Sequence, residues 1–366
     1  MSSNTQTRQS SSTPAHTLGG AALLNAGARP TSAPLSVLIA EPMGAAASAK
    51  LGQFKPGEVN LSIVPDLKQS PADLTASVLN AMKGKTTDLL VVRGNCQVNQ
   101  AFVESLSQQE RPAFVLRAGT GMDNIDSAYL KAQKIGVQNT ASVNTQSAGE
   151  HALALMLSAS RKITTANAQV KAGVWDRQAL TGSDLSGKTL GIVGVGRIGG
   201  IVGNAAKSIG MKVIGLLPPP QFRGGEKPAF LSDYVELDQL CEQSDVITLH
   251  VQLDDETRGM IGEAQLTKMA EKGPGILINT ARGGIADEQA VLNALNDGRL
   301  SAAGFDVFVQ DPAPEGSLSD QLAKHPNMIA TPHVGGQTIQ ASERMGQAVV
   351  DKAREMSLQS AESAAV

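Results

Sequence analysis

The sequence predicts an α/β fold of two doubly wound parallel-sheet domains, the larger inserted into the smaller. Two observations predict it. Short apolar runs of strand length alternate with helix-period stretches along most of the chain, the pattern of an open parallel sheet covered on both faces. The series also restarts: one set of strands ends near Leu116, a long helix follows, and a second set opens near Thr189. In the first set, residues 36–40, 61–64, 88–92 and 113–116 read as short buried strands. A helix is expected over 147–161, with His151, Leu153, Ala154, Met156 and Leu157 as its apolar stripe. The second set runs through 188–193, 212–217, 246–249, 275–278, 302–305 and 327–330. Residues 341–356 read as a closing helix that folds back onto the first domain. The expected division is therefore 34–137 with 332–358 for the first domain and 138–331 for the inserted one. Tails are expected at 1–33 and 359–366.

A chain of 366 residues is long enough for two hydrophobic cores. With 31 basic and 34 acidic residues, and a net charge of −3, no basic field favours nucleic acid and no polybasic segment favours a membrane. No apolar run approaches the roughly 20 residues that cross a bilayer. A small-molecule partner is the expectation, with no nucleic acid and no membrane. The two cysteines, Cys96 and Cys241, form no paired motif and the five histidines are dispersed, so neither a disulfide framework nor a metal site is expected. Residues 1–33 are rich in Ser, Thr, Ala, Pro and Gly, and no acid precedes Glu41. That composition fits a disordered tail on a cytoplasmic protein, or a transit peptide leading to a plastid or mitochondrion.

Between the strand at 188–193 and the next helix stands Gly194-Val195-Gly196-Arg197-Ile198-Gly199. Gly194 permits a tight turn, Gly196 lets backbone N–H groups approach a pyrophosphate, Gly199 lets helix and strand pack closely, and the helix N-terminus faces the anion. Ile198, Ile201, Val202 and Ala205 form the expected apolar stripe, and 212–217 the next parallel strand. The strand–helix–strand unit makes 138–331 a Rossmann dinucleotide-binding domain and leaves 34–137 with 332–358 as the substrate domain. Ligands in such sheets bind beyond the carboxyl ends of the strands, where Asn279 to Arg282, Asp306 and His333 converge. His250 ends a strand there too, and reads equally as a cofactor neighbour or as a satisfied strand-end histidine.

His333 is suited to accept a hydroxyl proton, because imidazole titrates near the working pH. Arg282 offers a planar fork matched to a carboxylate. An acid about 20 residues past the glycine loop ordinarily binds the adenosine ribose hydroxyls, yet that stretch reads Leu216-Leu217-Pro218-Pro219-Pro220. Leucine cannot accept those hydrogen bonds and does not repel a 2′-phosphate. Arg223 or Lys227 could pair with one.

Residues 279–287, 306–312 and 331–336, with the glycine loop, resemble the D-isomer-specific 2-hydroxyacid dehydrogenases, and the similarity runs over 37–356. Residues 91–93, 117–126, 173–177 and 187–190 support it. The resemblance implies hydride transfer between a D-2-hydroxy acid and a nicotinamide cofactor. The substrate it favours is 3-phosphoglycerate, a step of serine biosynthesis. It implies Arg282 as the carboxylate clamp, His333 as the base, and Asp311 as the carboxylate that holds it. Family members usually carry Glu at that place, one methylene longer. Thr280 and Ala281 would lie near the nicotinamide, Asp306 would bond its carboxamide, and Gly335 would belong to the same site. Arg93, Gly94 and Arg177 would receive a substrate phosphate, Arg177 by reaching a neighbouring subunit. By the same resemblance Leu217 occupies the acid position. NAD is expected, with NADP admitted by Leu217, and a homodimer or homotetramer. The short stretch after the last helix leaves no room for the C-terminal regulatory domains of longer members. Two alternatives remain open: a glyoxylate or hydroxypyruvate reductase, and a cofactor-sensing transcriptional corepressor of the same fold.

Overall fold

A computed structural model describes residues 33–65, 70–224 and 226–363. The expectations for 1–32 and 364–366 lie outside the described residues. The first domain holds a five-stranded parallel sheet, in the order β2-β1-β3-β4-β5. Its strands are β1 (Leu35–Ile39), β2 (Val59–Ile63), β3 (Leu89–Val92), β4 (Phe114–Arg117) and β5 (Gly136–Asn139). Helices α1 (Ala45–Leu51), α2 (Pro71–Met82), α3 (Gln100–Glu104) and α4 (Ser127–Ala132) connect them. Alternate residues feed the two faces. Leu38, Leu90, Val92 and Val115 pack on one side, and Val37, Ile39, Leu89, Val91, Phe114 and Leu116 on the other.

The chain then crosses through α5 (Thr145–Ser160) and α6 (Ile163–Lys171) into a seven-stranded sheet, in the order β12-β11-β10-β9-β6-β7-β8. Its strands are β6 (Thr189–Val193), β7 (Lys212–Leu216), β8 (Asp233–Val235), β9 (Val246–Leu249), β10 (Gly275–Asn279), β11 (Leu300–Phe305) and β12 (Met328–Ala330). Helices α7 (Arg197–Ser208), α8 (Leu237–Gln243), α9 (Glu263–Ala270), α10 (Glu288–Asn296) and α11 (Leu318–Ala323) cover both faces. The strand order reverses at β6, beside β9 and β7, which is where such sheets open a crevice.

Several elements differ from expectation. Edge strands β5 and β8 are additional to those read from sequence. Strand β2 is an edge strand whose Leu61 and Ile63 are exposed, not a buried one. On α5 the buried face is Ala148, Ala152, Leu155, Met156 and Ala159, so Ala154 and Leu157 point outward. On α7 the contact face is Gly199, Val202, Gly203 and Ala206, one residue round from the predicted stripe. The reason is glycine: a Cβ on Gly203 would lie 2.4 Å from the Phe230 ring, so the bare backbone is itself the packing surface. The last helix, α12 (Ile339–Ser363), runs past the expected 358/359 boundary. Its Met345, Val349, Val350, Ala353 and Met356 return to the first sheet and pack with Val37, Ile39 and Ala47.

Candidate active site

The glycines after β6 have separate tasks. Gly194, at φ +98°, turns the chain where a Cβ would sit 2.6 Å from the His250 carbonyl oxygen. At Gly199, on the first turn of α7, a Cβ would sit 2.3 Å from the Gly194 carbonyl oxygen. Gly196, the residue that caps α7, is exposed with open space on its Cβ side. The first N–H groups of α7, flanked by Arg197 and Ile198, thus face a cradle that an anion fits. At the end of β10 the Thr280 hydroxyl is buried without a partner, so a ligand there would satisfy it. Both features suit a bound dinucleotide.

Around this crevice the other predicted cofactor residues divide. The His250 ring bonds Thr248 Oγ1 at 2.9 Å, and burial pushes its pKa down to about 4, so it is a neutral, satisfied strand-end histidine. Its backbone supports the glycine turn through N–H donation to the Val193 carbonyl. Leu217, half-buried just past β7, donates its N–H to the Val235 carbonyl at 2.8 Å. Arg223 Nε donates to the Pro218 carbonyl at 2.7 Å, while Lys227 Nζ turns away to the Ser232 carbonyl at 2.6 Å.

Arg282 is aimed by its own loop. Asn279 Nδ2 donates to the Arg282 carbonyl at 2.9 Å and Asn279 Oδ1 accepts from the N–H of buried Ala281 at 3.1 Å, which folds residues 279–282 into a tight unit. The guanidinium then crosses to the first domain. Its Nε donates to Asp123 Oδ2 at 2.8 Å, its Nη1 to the Ala281 carbonyl at 2.6 Å, and its Nη2 lies where a Cβ on Gly121 would be.

Asp306, buried at the end of β11, organises the loop that carries His333. Oδ1 accepts from Thr331 Oγ1 at 2.5 Å and from Val334 N–H at 2.9 Å; Oδ2 accepts from Gly335 N–H at 2.7 Å. His151 Nε2 stands 3.3 Å from Oδ1. Burial alone would push the carboxyl up, but the bonds from His151, Thr331, Val334 and Gly335 outweigh it and hold it below the usual range. These contacts fasten Asp306 to the 331–335 loop. His333 itself sits in the left-handed region at φ +55°, its N–H donating to the Asp306 carbonyl at 2.9 Å. Its Nδ1 is 3.1 Å from Asp311 Oδ2, so the shorter carboxylate reaches the ring.

Arg117, given no role from sequence, belongs to this cleft. Its Nη1 lies where a Cβ on Gly119 would be, and its Nη2 is 3.8 Å from the Cβ position of Gly94. Nη1 donates to the Ala118 carbonyl at 3.1 Å, while Nε is buried without a partner. Burial, then the guanidinium groups of Arg282 and Arg93, push its pKa down to about 10, leaving it a cation. Arg93 donates from Nη1 to the Pro42 carbonyl at 3.1 Å. The buried Glu41 carboxylate pins the Arg93–Gly94 turn by accepting from the N–H groups of Arg93, Asn95 and Cys96. The signal for Arg117 in sequence is position: an arginine at the carboxyl end of a strand, followed closely by Gly-Thr-Gly. Arg177 is exposed beyond α6 and makes no contact with this cluster among the described residues. No metal-binding cluster is found among the described residues, and no described helix is long and apolar enough to cross a membrane.

Residues 153–335 match the model of the D-isomer specific 2-hydroxyacid dehydrogenase NAD binding domain. Over 267 residues the chain is 39% identical to a hydroxypyruvate reductase of Thermotoga maritima, covering 72% of this chain and 83% of that one. It is 37% identical over 276 residues to a D-3-phosphoglycerate dehydrogenase of Methanocaldococcus jannaschii, covering 75% of this chain but only 50% of that relative. The TT0316 protein of Thermus thermophilus superposes with a TM-score of 0.73 at 28% identity, covering 86% of this chain and 94% of that one. The glycine loop, Arg282 and His333 therefore stand in a chain that belongs to the D-isomer specific 2-hydroxyacid dehydrogenase family.

Proposed function

We propose that the protein interconverts 3-phosphoglycerate and 3-phosphohydroxypyruvate, the step that opens serine biosynthesis. One observation carries the reading: the half-buried Arg117 side chain, its Nε buried and unpartnered, stands beside Arg93 and Arg282. A lone carboxylate needs one such clamp, and a substrate with a second, phosphate, anion uses the rest. Arg282 holds the carboxylate, and Arg93, Arg117 and the Gly94 turn hold the phosphate. His333 takes the 2-hydroxyl proton on Nε2 while Asp311 holds Nδ1. Asp306, Thr331 and His151 keep the histidine loop in place, and Thr280, Ala281 and Gly335 border the nicotinamide. That cofactor, when bound, supplies the hydride acceptor or donor.

A second reading, reduction of unphosphorylated hydroxypyruvate or glyoxylate, is favoured by the fuller coverage of the Thermotoga relative. Rates with phosphohydroxypyruvate, hydroxypyruvate and glyoxylate separate the two. The phosphorylated substrate is expected to have a kcat/KM at least about tenfold higher, a preference that Arg117→Gln removes. Hydroxypyruvate turned over equally well would select the second reading. Tight cofactor binding with no turnover of any of the three would return the corepressor.

The same reading includes a homodimer. Ile163, Val170, Val174 and Trp175, on α6 and just beyond it, are 51%, 45%, 46% and 69% exposed, an apolar strip suited to a second copy of itself. Arg177, two residues on, would then be carried to the neighbour. Trp175→Glu should convert the sedimentation profile to monomer. A wild-type protein that sediments as a monomer at micromolar concentration sinks the dimer.

A further inference from the structure

We infer that Glu288 and Ser319 are positioning residues for the proton-accepting pair: they fix the backbone of residues 309 and 310 so that Asp311 reaches His333. The inference deepens the proposed function and rests on its assignment of Asp311 and His333. Asp311 is a demanding partner, because its carboxylate stands one methylene, about 1.5 Å, closer to its own backbone than a glutamate's would. Its Oδ2 lies 3.1 Å from His333 Nδ1, at the long end of a hydrogen bond, so roughly half an ångström of drift would end the contact. Reach therefore depends on where the loop is held.

Val309, Gln310, Asp311 and Pro312 all expose their side chains, Val309 by 61%, so no apolar anchor of their own fixes this stretch. Its ties are polar and come from two helices. Glu288, the first residue of α10, is 5% exposed, and its Oε1 accepts from Val309 N–H at 2.7 Å. Its Oε2 accepts from the Ser319 hydroxyl at 2.6 Å. Ser319, buried on α11, accepts in turn from Gln310 N–H at 3.2 Å. The two N–H groups directly before Asp311 are thus fastened to one buried carboxylate. The Phe308 carbonyl meanwhile backs onto Gly283, the residue after Arg282, so closely that a Cβ there would overlap it. Carboxylates are seldom this dry unless they are fully hydrogen-bonded. Capping α10 is not what Glu288 does, because Asp287 makes that cap by accepting from the N–H groups of Gln289 and Ala290. The rival role is general stability from a buried polar network. The two roles differ in one respect: positioning matters less once the side chain at 311 is long enough to reach His333 from a displaced backbone, whereas stability is indifferent to that length.

The test is a double-variant cycle on the full chain, with phosphohydroxypyruvate as substrate, or hydroxypyruvate if that is turned over faster. Ser319→Ala should lower kcat about tenfold while NADH or NADPH affinity stays within about twofold. In an Asp311→Glu background the same change should lower kcat by less than about threefold. Ser319→Cys, which keeps the volume but hydrogen-bonds weakly, runs the same cycle if the alanine protein does not fold. Glu288→Gln keeps an acceptor for the Val309 N–H, so it should retain at least about a third of wild-type kcat. Histidine 15N NMR reads the coupling without substrate, the His333 signal being the one lost in His333→Asn. With the ring neutral, Nδ1 should carry the proton in the wild type, exchange it with Nε2 in Ser319→Ala, and carry it again when Asp311→Glu is added. A Ser319→Ala kcat within about twofold of wild type would overturn the inference, as would an equal loss in both backgrounds or a His333 tautomer that Ser319→Ala leaves unchanged. The expected NMR series with no turnover of phosphohydroxypyruvate, hydroxypyruvate or glyoxylate would support the positioning and overturn the proposed function instead.

Discussion

Replacing His333 by asparagine should lower kcat by about 10²- to 10⁴-fold while NADH or NADPH affinity stays within about twofold. Asparagine is the informative choice because of the backbone. His333 lies at φ +55°, a region that asparagine tolerates well, so the loop bonds to Asp306 and Thr331 can survive the change. What disappears is the proton acceptor. With Nδ1 engaged by Asp311, the neutral ring presents Nε2 as its free lone pair, and no other described histidine can replace it. His250 is bonded to Thr248, His151 to Thr331, and His325 Nδ1 accepts from Asn327 N–H. A variant retaining more than a tenth of wild-type kcat would show that the 2-hydroxyl proton leaves by another route.

Much of this machinery was visible in the sequence because it is local. The glycine loop, Arg282 and His333 each sit in a short segment whose neighbours fix the backbone, and Asp311 lies five residues beyond Asp306 on the same strand end. Two kinds of feature were not visible. Edge strands β5 and β8 carry too few apolar residues to announce themselves: Gly136-Val137-Gln138-Asn139 is paired by its position next to β4, and Asp233-Tyr234-Val235 by its position next to β7. Long-range partners were the other. His151 meets Thr331 across 180 residues of sequence, and Arg282 meets Asp123 across 159. Whether the shorter Asp311 reaches the ring was likewise a question of backbone placement, and its Oδ2 lies 3.1 Å from His333 Nδ1. Arg117 is of the second kind, since an arginine at a strand end is unremarkable until Gly94 and Gly119 are seen to clear space for it.

Arg282→Lys should lower kcat/KM by about 30- to 1,000-fold, the loss of one or two charge-assisted hydrogen bonds worth about 2–4 kcal/mol together. Lysine keeps the charge, so the measurement isolates geometry. In the wild type Asp123 and the Ala281 carbonyl take Nε and one Nη1 hydrogen, which orients the remaining Nη edge into the cleft. An ammonium on a flexible stem has no such fixed plane and would pair with Asp123 itself. The effect should fall on kcat as well as KM, because a misaligned carboxylate carries C2 out of register with His333. Retention of more than a third of wild-type kcat/KM would remove Arg282 from the clamp. Pairing the change with Arg117→Gln adds the decisive comparison. If the two arginines hold different anions of one substrate, their costs on a phosphorylated substrate add in free energy. If they share a single carboxylate, the double variant is scarcely worse than Arg282→Lys alone, and the case for a phosphate in this cleft falls with it.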